Sequence, residues 1–153
     1  GNELGMARYY ISKELEKKKI TPLNIISKSA YVDNEKLLGK GVQLFPNSVM
    51  QTNAKIGDYS ILNTGAILEH DCLAGNGVHI MPGAVVGGNA IIGDYVSIGL
   101  NATIMPNVQI HDGAFIGAGA VVMDDVKKNE AVVGNPAKYL KKIEHKVNLD
   151  IFK

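Results

Sequence analysis

The sequence contains no tryptophan, one cysteine and few aromatic residues, which make up only 6% of its 153 residues. The lone Cys72 cannot form a disulfide within the chain and suits a reducing compartment, so we expect a cytoplasmic location. Because 16 Lys and Arg residues nearly balance 15 Asp and Glu residues, the composition provides no basic surface for nucleic acid or a membrane. No apolar run approaches the roughly 20 residues of a membrane-spanning helix. Apolar residues nevertheless form 46% of the chain, which predicts a folded domain.

A large apolar residue recurs at every sixth position through most of the chain, except that Ala74 takes its place once. From Leu38 to Val122 this spacing gives 15 hexads without a slip, and the fifth position of each is small or β-branched. Ile26 and Val32 fit the same spacing, although Lys36 interrupts the fifth position. A period of six matches neither a helix nor an ordinary strand, so we expect a short strand and a bend in every hexad. With three hexads closing one triangular coil, the sequence predicts a mainly β, parallel solenoid of about five coils.

Each position of the hexad has an expected place in this solenoid. The first residue should point into the prism, and the fifth should fit where two walls converge at a corner. Cys72 occupies a fifth position that is filled elsewhere mostly by Ala and Val, so we expect it in the core. Glycine recurs at the second position, where we expect it to relieve bends with unusual backbone angles. These glycines are Gly57, Gly75, Gly87, Gly93, Gly99 and Gly117.

The segments outside the hexads differ from the solenoid in composition. Apolar residues at helical spacing predict one amphipathic helix over residues 3–19, ended by Thr21-Pro22. After the last hexad we expect an extended stretch and then a short basic helix, with Pro136 near its first turn. The predicted organisation is therefore an N-terminal helical segment at 1–22, the solenoid at 23–128 and a C-terminal segment at 129–153.

A histidine and a carboxylate stand next to each other at one predicted bend. His70 and Asp71 occupy the third and fourth positions of their hexad, and one coil of 18 residues further on lies Gly88. A neutral imidazole can accept a proton near pH 7, and an adjacent carboxylate can fix its tautomer. A glycine amide can donate a hydrogen bond to a developing oxyanion. The alternative for such a pair alone is a surface histidine without a catalytic role.

Four stretches resemble one enzyme family. Residues 62–71 (LNTGAILEHD) are similar to the active-site stretch of the sialic-acid O-acetyltransferase-like family, which includes nucleotide-aminosugar N-acetyltransferases. Residues 87–89 (GGN), 104–107 (IMPN) and 133–137 (VGNPA) resemble further segments of the same family. The resemblance covers nearly the whole chain. It implies a left-handed parallel β-helix and an acetyl-CoA-dependent acetyltransferase that acts on a nucleotide-linked sugar in surface-glycan biosynthesis.

The resemblance also implies roles for individual residues. His70 matches the general base, Asp71 the acid that tunes it, and Gly88 the amide that faces the thioester oxygen. His79 matches a contact to acetyl-CoA, and Asn63 a side chain at the active-site interface. The other expected cofactor-binding residues are Leu100 and Ala118 along the pantetheine, Pro136 near the adenine and Lys138 near the phosphates.

Relatives of this kind are trimers that bind each acetyl-CoA between two subunits, so the resemblance implies a homotrimer. Full-length relatives also carry a Rossmann-like half that holds the sugar nucleotide. We expect residues 1–22 to be the end of such a half, with Gly1 on the substrate side. The predicted partners are therefore acetyl-CoA and a nucleotide-activated aminosugar, with neither nucleic acid nor membrane.

Other interpretations remain open from the sequence. The acceptor group is an amine or a hydroxyl, and O-acetylation of sialic acid or another small acceptor is the first alternative. A γ-carbonic-anhydrase-like zinc protein uses the same kind of prism, but it needs three zinc-binding histidines. Here His70 and His79 are nine residues apart and His111 lies 32 beyond His79, so no metal site is predicted. A non-catalytic solenoid is the remaining alternative.

Overall fold

The computed structural model describes residues 4–144, which form one α-helix, a 3₁₀ turn at Glu35–Leu37 and eighteen strands. The regular elements in chain order are α1 Leu4–Lys17, β1 Ile25–Ile26, β2 Tyr31–Val32, β3 Gln43–Leu44, β4 Val49–Met50, β5 Lys55–Ile56, β6 Ile61–Leu62, β7 Ile67–Leu68, β8 Leu73–Ala74, β9 His79–Ile80, β10 Val85–Val86, β11 Ile91–Ile92, β12 Ser97–Ile98, β13 Thr103–Ile104, β14 Gln109–Ile110, β15 Phe115–Ile116, β16 Val121–Val122, β17 Glu130–Val133 and β18 Lys138–Lys142.

Strands that are one coil apart lie side by side in three sheets, which are the walls of the prism. Sheet A contains β1, β3, β6, β9, β12, β15, β17 and β18; sheet B contains β2, β4, β7, β10, β13 and β16; sheet C contains β5, β8, β11 and β14. The pairing is parallel with an 18-residue register, as between Ile67 and Val85 and between Val85 and Thr103. We name the three edges of the prism the A–B, B–C and C–A corners, after the walls that meet there.

The solenoid has about six coils, one more than the hexad count predicts. Strands β1 and β2 begin the first coil, because Ile26 and Val32 pair with Leu44 and Met50 of the second. The third wall of the first coil is reduced to a single parallel bridge between Leu38 and Ile56 of β5. The 3₁₀ turn leads from β2 to this bridge and contains Lys36, which interrupts the hexad pattern.

The core is a column of first-position residues inside the prism, as predicted. Fifth-position residues are also buried, and Cys72 is fully buried among them, which confirms it as a core residue. The largest fully buried side chains are those of Leu44, Met50, Ile56, Leu62, Leu68, Ile80, Ile92, Ile98, Ile104, Ile110 and Ile116.

The unusual backbone angles occur at the fourth position of the hexad, and the expectation that placed them at the second position is wrong. At every fourth position from Gly41 to Gly119, φ lies between 53° and 69°. The second-position glycines have a different cause. A Cβ on Gly99 would lie 2.6 Å from the backbone nitrogen of Ala118 in the next coil. Glycine stands there because stacked backbones approach too closely for a side chain.

Helix α1 confirms the predicted N-terminal helix and packs against the C–A corner. It ends at Lys17, before Thr21-Pro22, and the left-handed Lys19 (φ 63°) follows. The Tyr9 ring meets the Tyr59 and Tyr95 rings edge-on, with centroids 5.8 and 5.4 Å apart. Tyr59 and Tyr95 are fourth-position residues two coils apart, so the helix spans at least three coils of this corner.

The C-terminal segment differs from the prediction, because residues 138–142 form strand β18 and not a basic helix. This strand pairs antiparallel with β17, whose outer edge would otherwise expose unpaired backbone groups at the end of sheet A. Pairing that edge outweighs the modest helix propensity of the lysine-rich sequence. The rest of the predicted helix lies outside the described residues.

Candidate active site

His70 and Asp71 lie in the turn from β7 to β8, at the B–C corner. Asp71 has a left-handed backbone (φ 59°), which turns its carboxylate back toward the preceding side chain. Its Oδ2 lies 2.9 Å from Nδ1 of His70, and its Oδ1 accepts a hydrogen bond from Nδ2 of Asn53 at 3.1 Å. The bonds to His70 and then Asn53 lower the pKa of Asp71. The carboxylate is therefore ionised and holds the imidazole in one orientation.

The His70 ring lies against the backbone of Gly88 in the next coil. A Cβ on Gly88 would stand 2.5 Å from Nε2 and 2.7 Å from Cε1 of that ring, so the imidazole occupies space that only glycine leaves. The stack is fixed by a hydrogen bond from the Asn89 amide to the His70 carbonyl at 3.0 Å. In the part of the chain that the structure describes, the Gly88 N–H donates no hydrogen bond.

A second pair, Asn63 and His79, lies beside the A–B corner. The Thr64 amide donates to Oδ1 of Asn63 at 2.7 Å, so the Asn63 Nδ2 is the atom that faces Nε2 of His79 at 3.1 Å. Nε2 is therefore an acceptor, and the proton of the neutral ring is on Nδ1. Burial, with a smaller effect of the Arg8 charge, lowers the pKa of His79 to about 4. His79 is thus neutral at physiological pH.

The remaining expected cofactor-binding residues lie along the same A–B corner. Leu100 and Ala118 are exposed third-position residues in successive coils. Pro136 is in the turn between β17 and β18, and this turn stacks on the corner through a 2.8 Å hydrogen bond to the Val121 carbonyl. Lys138 follows as the exposed first residue of β18.

The structure therefore separates the expected site residues into two groups on opposite edges of sheet B. The group of His70, Asp71 and Gly88 lies at the B–C corner, and the group with Asn63 and His79 lies at the A–B corner. One wall of six residues lies between the corners, a span of up to about 20 Å at roughly 3.3 Å per residue. Gly1, expected on the substrate side, lies outside the described residues.

Two contacts in these groups are missing from the sequence interpretation. Asn53 supports Asp71 and stands one coil before it, so the 18-residue step used to find Gly88 would also have found it. Arg8 acts on His79 from α1, and no repeat relates a helix outside the hexads to a coil. That contact has no signal in the sequence.

The histidines of the described chain do not converge. His70 is at the B–C corner, His79 is on sheet A, and His111 follows β14 at the C–A corner. Within residues 4–144, no three His, Cys, Asp or Glu side chains form a group that could hold a metal ion. In the same range, no helix is long and apolar enough to cross a lipid bilayer.

Residues 75–104 match the family model described as bacterial transferase hexapeptide (six repeats). This segment covers β9 to β13 and includes His79 and Gly88. A comparison with functionally curated proteins finds no match.

Solved structures match nearly the whole chain. WeeI from Acinetobacter baumannii is 33% identical with a TM-score of 0.85, covering 90% of this chain and 68% of WeeI. The acetyltransferase domain of PglB from Neisseria gonorrhoeae, in complex with acetyl coenzyme A, is 32% identical with a TM-score of 0.78, over 90% and 67%. A mutant perosamine N-acetyltransferase from Caulobacter crescentus, in complex with CoA and GDP-perosamine, is 26% identical with a TM-score of 0.81, over 92% and 67%. These matches confirm the predicted fold class.

Proposed function

Because the chain belongs to the hexapeptide-repeat acetyltransferases, we propose that it transfers an acetyl group from acetyl-CoA to the amine of a nucleotide-linked aminosugar. The observation that carries the proposal is the His70 imidazole, held by Asp71 over the bare backbone of Gly88. The PglB domain holds acetyl-CoA, and the Caulobacter enzyme holds CoA and GDP-perosamine. We assign the reaction to surface-glycan biosynthesis in the cytoplasm, where the free Cys72 would stay reduced.

His70 is the proposed general base. Its Nδ1–H donates to the Asp71 carboxylate, which leaves Nε2 as the proton acceptor. As the acceptor nitrogen attacks the thioester carbonyl carbon, Nε2 takes the proton that this nitrogen loses. The C–S bond then breaks, and His70 can return the proton to the departing thiolate. The nucleophile is the substrate itself, so no side chain forms a covalent intermediate.

Gly88 is the proposed donor to the oxyanion. The attack places a negative charge on the former carbonyl oxygen, and a fixed backbone N–H can stabilise that charge without reorganising. The Gly88 amide is uncommitted in the described part of the chain and lies directly beside the His70 ring. Base and oxyanion donor can therefore reach the same thioester.

The A–B corner is the proposed acetyl-CoA slot. Leu100 and Ala118 would contact the pantetheine, and Pro136 would lie near the adenine. Lys138 offers a cation to the phosphates, since charge-assisted hydrogen bonds to phosphate are stronger than neutral ones. His79 would donate to the cofactor through Nδ1–H, because Nε2 already accepts from Asn63.

A homotrimer is part of the same proposal. The base and the proposed cofactor slot lie on opposite edges of sheet B, so one chain cannot bring them to the same thioester. A second copy can complete the site if its A–B corner faces the B–C corner of the first. Residues 1–22, including Gly1, are the proposed link to the part that binds the sugar nucleotide.

Acetyl transfer tests this function directly. The protein is incubated with acetyl-CoA and UDP- or GDP-linked aminosugars, and thiol release is followed together with the mass of the sugar product. Gain of one acetyl group on the amine is the expected result. Acetylation of a hydroxyl would show that the acceptor group is a hydroxyl and not an amine. Absence of acetyl transfer to every nucleotide sugar would contradict the proposal.

A further inference from the structure

Helix α1 carries an arginine whose guanidinium meets the backbone that leads into His79. Nε of Arg8 donates to the Tyr59 carbonyl at 2.7 Å, and Nη2 donates to the carbonyls of Gly77 and Val78 at 3.4 and 3.3 Å. Burial lowers the pKa of Arg8 to about 10, which still leaves it charged. A half-buried charge is costly unless its donors are hydrogen-bonded, and within residues 4–144 the Arg8 guanidinium bonds to these main-chain oxygens.

The helix is in direct contact with the same turn. A Cβ on Gly77 would lie 2.8 Å from the Gly5 carbonyl oxygen, so the backbone of α1 rests against the backbone of the coil. Gly5 and Arg8 are three residues apart and therefore on one face of the helix. This face fixes the position of the residue pair that immediately precedes His79.

Arg8 is a charged group that acts on the His79 ring, and the residues beside that ring are uncharged. Its neighbours on the flanking strands are Ile61 and Ser97, which do not titrate, and Asn63 occupies its Nε2. The Arg8 charge adds to burial in favouring the neutral ring. The contact from α1 thus reaches the proposed acetyl-CoA slot through one strand.

We propose that Arg8 is a positioning residue for acetyl-CoA, which acts by fixing the backbone before His79 and keeping the Nδ1–H of that ring directed at the cofactor. The inference rests on the proposed function of the A–B corner. It makes α1 a part of the cofactor site, although no residue of the helix is among those expected to contact acetyl-CoA.

The decisive variant is Arg8→Met, which keeps much of the length of the side chain and removes its charge and donors. Two quantities are measured: the Kd for acetyl-CoA by calorimetry at pH 6 and pH 8, and the titration of the His79 imidazole by NMR. Losing the charge raises the pKa of His79, but burial remains the larger cause of its low value, so the ring stays mostly neutral at both pH values. The loss of affinity therefore comes from the loosened backbone before His79, which no longer directs Nδ1–H at the cofactor. We expect acetyl-CoA to bind about tenfold more weakly than to the parent at both pH values, the cost of about one hydrogen bond, and the His79 titration to move to higher pH.

Lys13→Met is the matched control. Lys13 is on the same helix and contacts Glu16 and Asp58 at 3.3 and 3.7 Å, with its ammonium 5.3 Å from the Tyr9 ring centre. It helps to dock α1 but does not contact the turn before His79. A merely structural role of α1 predicts similar losses for both variants, whereas the proposal predicts a parental Kd and parental His79 titration for Lys13→Met.

A folded Arg8→Met variant with the parental Kd at both pH values and an unchanged His79 titration overturns the inference. If that variant does not fold, Arg8→Lys decides, because lysine keeps the charge but not the planar donor fork. Weaker acetyl-CoA binding by Arg8→Lys than by Lys13→Met then supports the inference, and equal binding overturns it. Neither readout needs the acceptor sugar, so a failure here is distinguishable from a failure of the acetyl-transfer assay.

Discussion

At the residue scale, His70 is held from two sides, by the Asp71 carboxylate and by the backbone of Gly88. We predict that His70→Ala lowers kcat by about 10²–10⁴-fold, the range typical of a general base, with little change in acetyl-CoA affinity. Asp71→Asn should cost less, since it weakens the contact that orients the ring but leaves the imidazole in place. Thiol release at saturating acetyl-CoA measures both. Parental turnover of His70→Ala from about pH 6 to 9 would contradict the assignment.

Gly88→Ala tests whether the position of the His70 ring matters for turnover, because it displaces the ring without removing the imidazole. Gly88 lies outside the left-handed region, so alanine fits its backbone, but the new Cβ would stand 2.5 Å from Nε2 of His70. The ring must move by about 1 Å, a displacement that can lower kcat by about 10²-fold.

The control for Gly88→Ala is Thr52→Ala, which stands one coil before His70 at the same position of the hexad and is exposed. We expect it to keep the parental kcat. Equal kcat values for the two variants would show that the His70–Gly88 contact does not position the base.

The 18-residue step explains which residue contacts could be predicted from the sequence. Because the hexads continue without a slip, residue 88 must stack on residue 70, and the structure has this contact. The Asn63–His79 contact follows from the same register once the strands are known. Ile61 pairs with His79, and Asn63 lies two residues after Ile61, which makes it a diagonal neighbour of His79. Arg8 could not be predicted, since the docking of α1 depends on side-chain packing and not on the repeat.

At the scale of the elements, two classes of glycine have different physical roles. Gly99 is a second-position glycine whose Cβ would collide with the next coil, whereas Gly119 is a fourth-position glycine with φ +65° and open space around it. We predict that Gly99→Ala lowers the free energy of unfolding by about 1–3 kcal/mol through overpacking. Gly119→Asn should change it by less than about 0.5 kcal/mol, because asparagine tolerates positive φ.

Urea denaturation of the two glycine variants measures the difference. Asparagine already occupies this fourth position at Asn101, one coil earlier at the same corner, with φ 53°. A larger loss of stability in Gly119→Asn than in Gly99→Ala would reverse the two roles.

The element that the sequence interpretation predicted wrongly is β18. Lysine and leucine favour a helix locally, but the last strand of a solenoid has an edge that needs a partner. Residues 138–142 supply that partner by pairing with β17. At α1, the local helical pattern determines the secondary structure, and its amphipathic face packs on the C–A corner. At residues 138–142, pairing with β17 determines it instead.

At the scale of the whole molecule, the apolar period predicts the solenoid, but it does not predict whether one chain contains a complete active site. The period defines the walls, the corners and the side on which each residue lies. It also places His70 and Ala118 on opposite edges of sheet B, and no property of one chain brings those edges together. The repeat alone does not supply the second copy, which is part of the proposed homotrimer.

Light scattering should therefore give a mass about three times 16.4 kDa, and mixing of two inactive variants tests whether the copies share sites. One variant is His70→Ala, and the other is Ala118→Trp, which would fill the proposed pantetheine slot from an exposed position. In trimers reassembled from equal amounts, about one site in four combines an intact base from one copy with an intact slot from its neighbour. We expect about a quarter of the parental turnover to return on mixing, measured by thiol release after denaturation and joint refolding. Trimers that regain no activity, while the parent refolds to full activity, would place base and cofactor slot within one chain and contradict the shared site.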